Sequence, residues 1–118
     1  QKLLRLINII QGLKDIHQKD LVHRDFHSGN ILSNNYKCFI TDLGLSKPAN
    51  ETNQEKIFGV MPYVAPEVLR NQPYTQASDI YSFGMVRHEV LFGLPPHYYV
   101  SHDSSLALSI MLGCYKFQ

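Results

Sequence analysis

The sequence predicts an α+β fold dominated by helices and built around one small β-hairpin. Apolar residues recur at three- and four-residue steps across residues 2–18, and a second helical pattern runs from Ser78 to Phe92. Between the two helices, Ile31-Leu32-Ser33 and Tyr36-Lys37-Cys38-Phe39-Ile40 flank Asn34-Asn35, a pair that tolerates positive φ, which is a hairpin signal. Residues 45–60, rich in Ser, Asn, Glu, Gln and Lys, show neither period and read as a polar loop.

Each element has a local reason. In the first helix Leu3, Leu6, Ile7, Ile10, Leu13, Ile16 and His17 are expected to form one buried stripe, with Gly12 as a small cost in helix propensity. Leu21-Val22 is a short strand leading into the segment from His23 to Asn30, which is too polar, and too broken by Ser28-Gly29, to be a helix. Pro66 to Arg70 form a short helix with Pro near its start. The helix from Ser78 is expected to be capped by Ser78, to use Asp79 against the positive end of its dipole, and to end near Phe92 before Gly93 and Pro95-Pro96. Ile80, Phe83, Met85, Val86, Val90 and Leu91 cover much of its surface and predict burial. Arg87 and His88 then need an account: a buried arginine must snorkel, meet Glu89 or Asp79, or lie nearer the surface. A last helix spans about Asp103 to Leu112 and stops at Gly113.

Composition bounds the function. The chain has 118 residues, 44% hydrophobic and 18% charged, as expected of one globular unit, and a net charge of +1. Lysines and arginines do not cluster, so neither nucleic acid nor an anionic membrane is indicated as a partner. Cys38 and Cys114 lie far apart and suit a reducing compartment. Arg5 and Asn8 interrupt the apolar run from Leu3 to Ile10, which excludes a signal-peptide core, and nothing approaches the roughly 20 apolar residues of a membrane span. The expected setting is intracellular and cytoplasmic. The chain opens at Gln1, without methionine and already inside a periodic pattern, and is read as a fragment.

The chemistry concentrates in the loop after the first strand. Asp25 and Asn30 lie five residues apart, and the hairpin should fold Asn30 and Asp42 back to one open end, with Asp25 just upstream. Three hard oxygen donors would converge there. Mg²⁺ takes one or two protein oxygens plus phosphates and water, which suits Asn30 and Asp42 and leaves Asp25 to orient an attacking hydroxyl. The pattern points to phosphoryl transfer.

His23-Arg24-Asp25 with Asn30, Asp42-Leu43-Gly44, Ala65-Pro66-Glu67 and Ser78-Asp79-Ile80-Tyr81-Ser82-Phe83-Gly84 resemble, in order and spacing, the motifs of eukaryotic protein kinases. The resemblance covers nearly the whole chain. It implies a protein-kinase-like fold in which residues 1–118 form part of the helix-dominated C-terminal lobe, without the N-terminal lobe that carries a Gly-rich loop and an ATP-anchoring lysine. It implies ATP and Mg²⁺ as cofactors and a protein substrate, with Asp25 as catalytic base, Asn30 and Asp42 as metal ligands, and Leu32 joining them in cofactor binding. His23 would pack under the catalytic loop. Arg24 resembles the arginine that pairs with a phosphate in the activation segment, here Asp42 to Glu67, where an activating kinase could modify Thr52 or Ser46. Tyr63 before Val64-Ala65-Pro66-Glu67 resembles the serine/threonine pattern, and Ser78 to Gly84 favours the tyrosine-kinase-like branch within it. The chain alone, with no second wall to the nucleotide cleft, is expected to fold poorly and to transfer no phosphate.

Departures from the family bear on the site. Leu43 replaces the usual Phe, an apolar exchange. His27 stands where serine/threonine kinases carry a lysine that touches the transferred phosphate, and Val60 where they carry a threonine linking that lysine to Asp25. His27 is therefore read as a phosphate contact. Two alternatives stay open: a pseudokinase that binds without catalysis, and an aminoglycoside-type small-molecule kinase, whose loop is similar to residues 23–30 but lacks Arg24. Zinc is not indicated, because His23 and His27 lie on a loop and His88-Glu89 lacks a second histidine at the required spacing.

Overall fold

The structure is a computed structural model that describes residues 2–34, 37–42, 47–48, 61–94 and 104–111. In chain order it contains α1 (Lys2–Gln18), β1 (Leu21–Val22), a 3₁₀ turn (Ser28–Asn30), β2 (Ile31–Ser33), β3 (Cys38–Ile40), β4 (Lys47–Pro48), a second 3₁₀ turn (Met61–Tyr63), α2 (Pro66–Leu69), α3 (Gln76–Phe92) and α4 (Ser104–Met111). The helix-dominated α+β reading holds. Asn35, Tyr36, Leu43, Gly44, Ser46, Thr52, Val60, Pro95, Pro96, Asp103, Leu112, Gly113 and Cys114 lie outside the described residues.

Two small antiparallel sheets frame the loop between them. β2 and β3 form a hairpin where one was expected, with Ile31 opposite Ile40, Leu32 opposite Phe39 and Ser33 opposite Cys38, a register two residues on from that of a turn at Asn34-Asn35, which would set Ile31 opposite Cys38. β1 pairs with β4, setting Leu21 opposite Pro48 and Val22 opposite Lys47. This second pairing corrects the reading of residues 45–60 as wholly irregular: two residues with neither period are recruited by the edge of β1, a tertiary effect that local pattern does not reveal.

Helix α1 has the expected bounds but a different buried stripe. Leu6, Ile9, Leu13 and Ile16 face inward, whereas Leu3 is 63% and Ile7 49% exposed. Ile9 thus takes the place expected of Ile10. Gly12 has a packing reason as well as a propensity cost, since a Cβ there would come within 3.0 Å of Ile40 Cδ1, so the missing side chain lets β3 lie close to α1.

Helix α3 starts earlier than expected. Thr75, not Ser78, is its N-cap: the Thr75 hydroxyl accepts from Ser78 N, and the Ser78 hydroxyl accepts from Thr75 N, a reciprocal capping box. Gly93, at φ +80°, ends it in the left-handed region that favours glycine. Met85 and Val86 are buried, but Ile80 and Leu91 are exposed, so the helix is less enclosed than its composition implies. Arg87 is exposed and His88 lies against Phe92, ring centroids 4.8 Å apart. Arg87 is therefore accommodated near the surface.

Two cores result. Ile9, Leu13, Phe26, Tyr63, Met85 and Val86 join α1, the loop after β1 and α3, with Ile31 and Ile40 of the hairpin packed against them. Val64, Ala65, Val68 and Leu69 meet Leu106 and Ile110 of α4 in the second. Pro66 opens α2 at a position where its missing N–H costs nothing.

Candidate active site

The loop from His23 to Asn30 is held from below by one carboxylate. Asp79, in the first turn of α3 and only 2% exposed, accepts from the backbone N–H of His23 at 2.7 Å and of Arg24 at 3.1 Å, and pairs with His17 Nε2 at 2.9 Å. A buried carboxylate is stable only when its lone pairs are met, and here they are met by the loop it fixes. Sequence reasoning gave Asp79 a dipole role and missed this one. The available signal was a charged residue on a helix face otherwise expected to be buried. His23 is fully buried: its Nδ1 accepts from Asp25 N at 3.1 Å, its Nε2 donates to Thr41 O at 2.9 Å, and its ring meets Phe26 edge-on at 5.8 Å.

Above this base, three predicted site residues meet. The Asn30 amide nitrogen donates to the Asp25 carbonyl at 2.7 Å and lies 3.2 Å from Asp25 Oδ2. His27 Nδ1 accepts from Gly29 N at 3.1 Å, while His27 Nε2 lies 3.3 Å from Asp25 Oδ1. The short 3₁₀ turn at Ser28–Asn30, capped by the His27 side chain, brings Asn30 back beneath Asp25; the sequence had suggested an irregular loop. The expected contact of His27 is with phosphate, but the structure turns its Nε2 toward Asp25.

A polar connection runs from this loop to α3. Ser28 Oγ lies 3.3 Å from the Tyr63 hydroxyl, which donates to Glu89, and the His27 ring packs 5.9 Å from that of Tyr63. Burial, followed by the hydrogen bond to Glu89, pushes the Tyr63 phenol well above its ordinary pKa, so it stays a donor. Ser82 Oγ donates to Tyr63 O at 2.6 Å and completes the clamp.

Asp42 joins the site through the backbone. Thr41 N and Thr41 Oγ1 both donate to Asn30 O, at 2.8 and 3.0 Å, so Asp42 leaves the hairpin directly beside Asn30, exposed and at φ +60°. Arg24, at φ +78°, is the other site residue in the left-handed region that side chains seldom adopt. Such backbone strain concentrates at sites that tertiary contacts over-determine. The Arg24 guanidinium lies 5.0 Å from the Tyr74 ring centroid and is largely buried. Leu32 is 60% exposed and stands opposite Phe39, also exposed, leaving an apolar strip on the open face of the hairpin.

The donor set fits a small hard cation held jointly with phosphate. Asn30 directs its amide nitrogen to Asp25, which leaves its carbonyl oxygen, and Asp42 supplies an exposed carboxylate next to it in the fold. Among the described residues no group of three or more His, Cys, Asp or Glu could hold a metal ion. No described helix is long and apolar enough to cross a membrane.

Comparisons with known proteins agree with the motifs. The protein kinase domain model matches residues 4–116. The chain is 35% identical over 113 residues to calcium/calmodulin-dependent protein kinase type 1 of Caenorhabditis briggsae, covering 92% of this chain and 32% of that protein. A probable serine/threonine-protein kinase of Dictyostelium discoideum is 33% identical over 91 residues, 76% of this chain and 7% of its own length. The serine/threonine-protein kinase PknA of Corynebacterium glutamicum is 40% identical over 103 residues, 84% of this chain and 21% of its own. The chain thus spans about a third or less of the relatives it matches.

Proposed function

The chain belongs to the protein kinase family, and on that premise we propose that it is the C-terminal-lobe part of an enzyme transferring the γ-phosphate of ATP to a serine or threonine hydroxyl of a protein. The observation that supports this reading is the Asp25 carboxylate, with the Asn30 amide nitrogen 3.2 Å from its Oδ2, on a loop that Asp79 anchors. In a loose phosphoryl-transfer transition state the protein contributes mainly position and charge, and fixed side chains of this kind supply both. Asp25 orients the substrate hydroxyl and receives its proton as the hydroxyl oxygen bonds to the γ-phosphorus and the bond from that phosphorus to the departing ADP breaks. Asn30 and Asp42 would hold Mg²⁺, which when bound would neutralise charge on the phosphates. Leu32, with Phe39, offers an apolar surface to the nucleotide base. Arg24 pairs with a phosphate on Thr52 or Ser46 placed by an activating kinase.

A polypeptide substrate is favoured over a small hydroxyl acceptor because Ala65-Pro66-Glu67 opens α2 beside Tyr63, a platform next to the loop. The names of the relatives support serine or threonine as acceptor. A cytoplasmic setting is part of the proposal. Made alone, the 118-residue chain is proposed to be inactive, since positioning requires both walls of a nucleotide cleft.

The test uses the whole protein and radiolabelled ATP with generic serine/threonine and tyrosine substrates. Asp25→Asn should lower turnover by about 10²-fold or more while sparing ATP binding. Asp42→Ala should weaken Mg²⁺-dependent ATP binding as well. Wild-type turnover in Asp25→Asn would remove the proposed base, and ATP binding without transfer by the unmodified protein would favour the pseudokinase.

A further inference from the structure

We infer that His27 is a positioning residue for the Asp25 carboxylate, locked to one neutral tautomer by Gly29, and that its part in turnover runs through Asp25 and not through the phosphate. The inference rests on the proposed role of Asp25 as the base.

The tautomer follows from the partner of Nδ1. Gly29 N–H can only donate, and it reaches His27 Nδ1 at 3.1 Å, so that nitrogen carries a lone pair and the ring proton resides on Nε2. Nε2 lies 3.3 Å from Asp25 Oδ1 and 3.2 Å from Asn30 Nδ2. Asn30 Nδ2 can also only donate, and its two hydrogens have three candidate acceptors, Asp25 O at 2.7 Å and Asp25 Oδ2 and His27 Nε2 at 3.2 Å each; with the ring proton on Nε2 they serve the two oxygens of Asp25. Asp25 Oδ1 is sealed from solvent and meets no partner with full hydrogen-bond geometry among the described residues. A buried carboxylate oxygen without a donor is costly, and the His27 Nε2–H is the group placed to supply one. Asn30 then steadies one oxygen of the carboxylate and His27 the other.

Gly29 makes the arrangement sterically possible. A Cβ at this position would come within 2.9 Å of His27 Cε1 and 3.0 Å of Nδ1, closer than such contacts occur, and would push the ring off the loop. The ring also packs against Tyr63, centroids 5.9 Å apart, which Glu89 and Ser28 hold in turn. The imidazole is therefore in contact with both Gly29 and an aromatic ring, with its Nε2 edge toward Asp25.

Two amide side chains separate the two jobs of the imidazole. Asparagine can reproduce the acceptor at Nδ1 but does not reach Asp25; glutamine can reproduce the donor at Nε2. In the whole protein, His27→Asn should lower kcat about tenfold with the ATP KM changed by less than about twofold, whereas His27→Gln should lose no more than about threefold. Gly29→Ala should match His27→Asn. Equal kcat for His27→Asn and wild type, or recovery by His27→Lys but not by His27→Gln, would overturn the inference. A second measurement needs no turnover: nitrogen-15 spectra of histidine-labelled protein, with and without Asp25→Asn. A neutral His27 protonated at Nε2, whose resonance moves in Asp25→Asn, is the expected result. A proton on Nδ1, or an Nε2 resonance indifferent to Asp25, would refute the pairing. If the unmodified protein transfers no phosphate, the kinase reading fails while the spectra still decide the place of His27.

Discussion

Replacing Asp79 should release the catalytic loop without touching any residue proposed to meet substrate. Its carboxylate accepts from His23 N, Arg24 N and His17 Nε2 at 2.7, 3.1 and 2.9 Å, and Asp79 and its two bonds to the loop amides are buried while the His17 contact is partly so. Hydrogen bonds to a charged acceptor each contribute about 1.5–3 kcal/mol, but three on one group are not additive. Breaking a buried network by deleting its central charge typically costs about 3–5 kcal/mol, because the donors left behind are desolvated and unpaired. Asp79→Ala is therefore expected to lose about 4 kcal/mol, a large part of the 5–15 kcal/mol that holds a domain together. Asp79→Asn should lose less, since one oxygen can still accept while its amide faces a donor. Amide hydrogen exchange reads the effect locally: in Asp79→Ala, protection at His23 and Arg24 should fall by about three decades, at about 1.4 kcal/mol per decade. Urea unfolding should show the same loss globally. Stability within about 0.5 kcal/mol of wild type, with protection at both amides unchanged, would mean that the loop is held by something other than Asp79.

Two further outcomes follow from the packing around the site. Leu13, 1% exposed at the meeting of α1 with the hairpin and α3, should lose about 3 kcal/mol on Leu13→Ala, measured as a shift in urea midpoint at constant m-value. Tyr63 predicts an alkaline limb. Its phenol is raised in the folded state by burial and by Glu89, so the folded chain keeps a proton that the unfolded chain releases near the ordinary value of 10.0. The stability this provides is intact below that pH and is lost as pH rises above it; Tyr63→Phe should flatten the decline while costing about 1 kcal/mol at neutral pH through its lost hydrogen bonds.

Much of the scaffold is local physics and could be read from the chain. The bounds of α1, the presence of the hairpin and the stop at Gly93 follow from apolar period, turn residues and a glycine in the left-handed region, whereas the hairpin register stands two residues on from the one a turn at Asn34-Asn35 implies. What the sequence did not disclose depends on partners distant along the chain. β4 exists because β1 offers it an edge. The helix stripe turns from Ile10 to Ile9 because the position of β3, allowed by Gly12, selects which face is covered. Thr75 displaced Ser78 as the cap because a capping box uses both hydroxyls, and which of the two stands outside the helix is set by the fold.

The site divides in the same way, and the division explains why two of its residues carry different meanings in sequence and in space. Asp25 and Asn30 are legible because a fixed spacing within one short loop nearly determines their contact, and the 3₁₀ turn closes it. His27 belongs to the same loop, but resemblance gave it the partner of the lysine it replaces. An imidazole is shorter than a lysine and has a second nitrogen, and once Gly29 N–H engages that nitrogen the ring plane is set. Its other nitrogen then faces Asp25. Asp79 shows the opposite case: its chemistry is evident from type, a carboxylate on a buried helix, but its partners are backbone amides more than fifty residues away. A substitution can thus retain the position of a family residue while transferring its work to a different neighbour, and a buried charge can do its work through groups that no side-chain motif records.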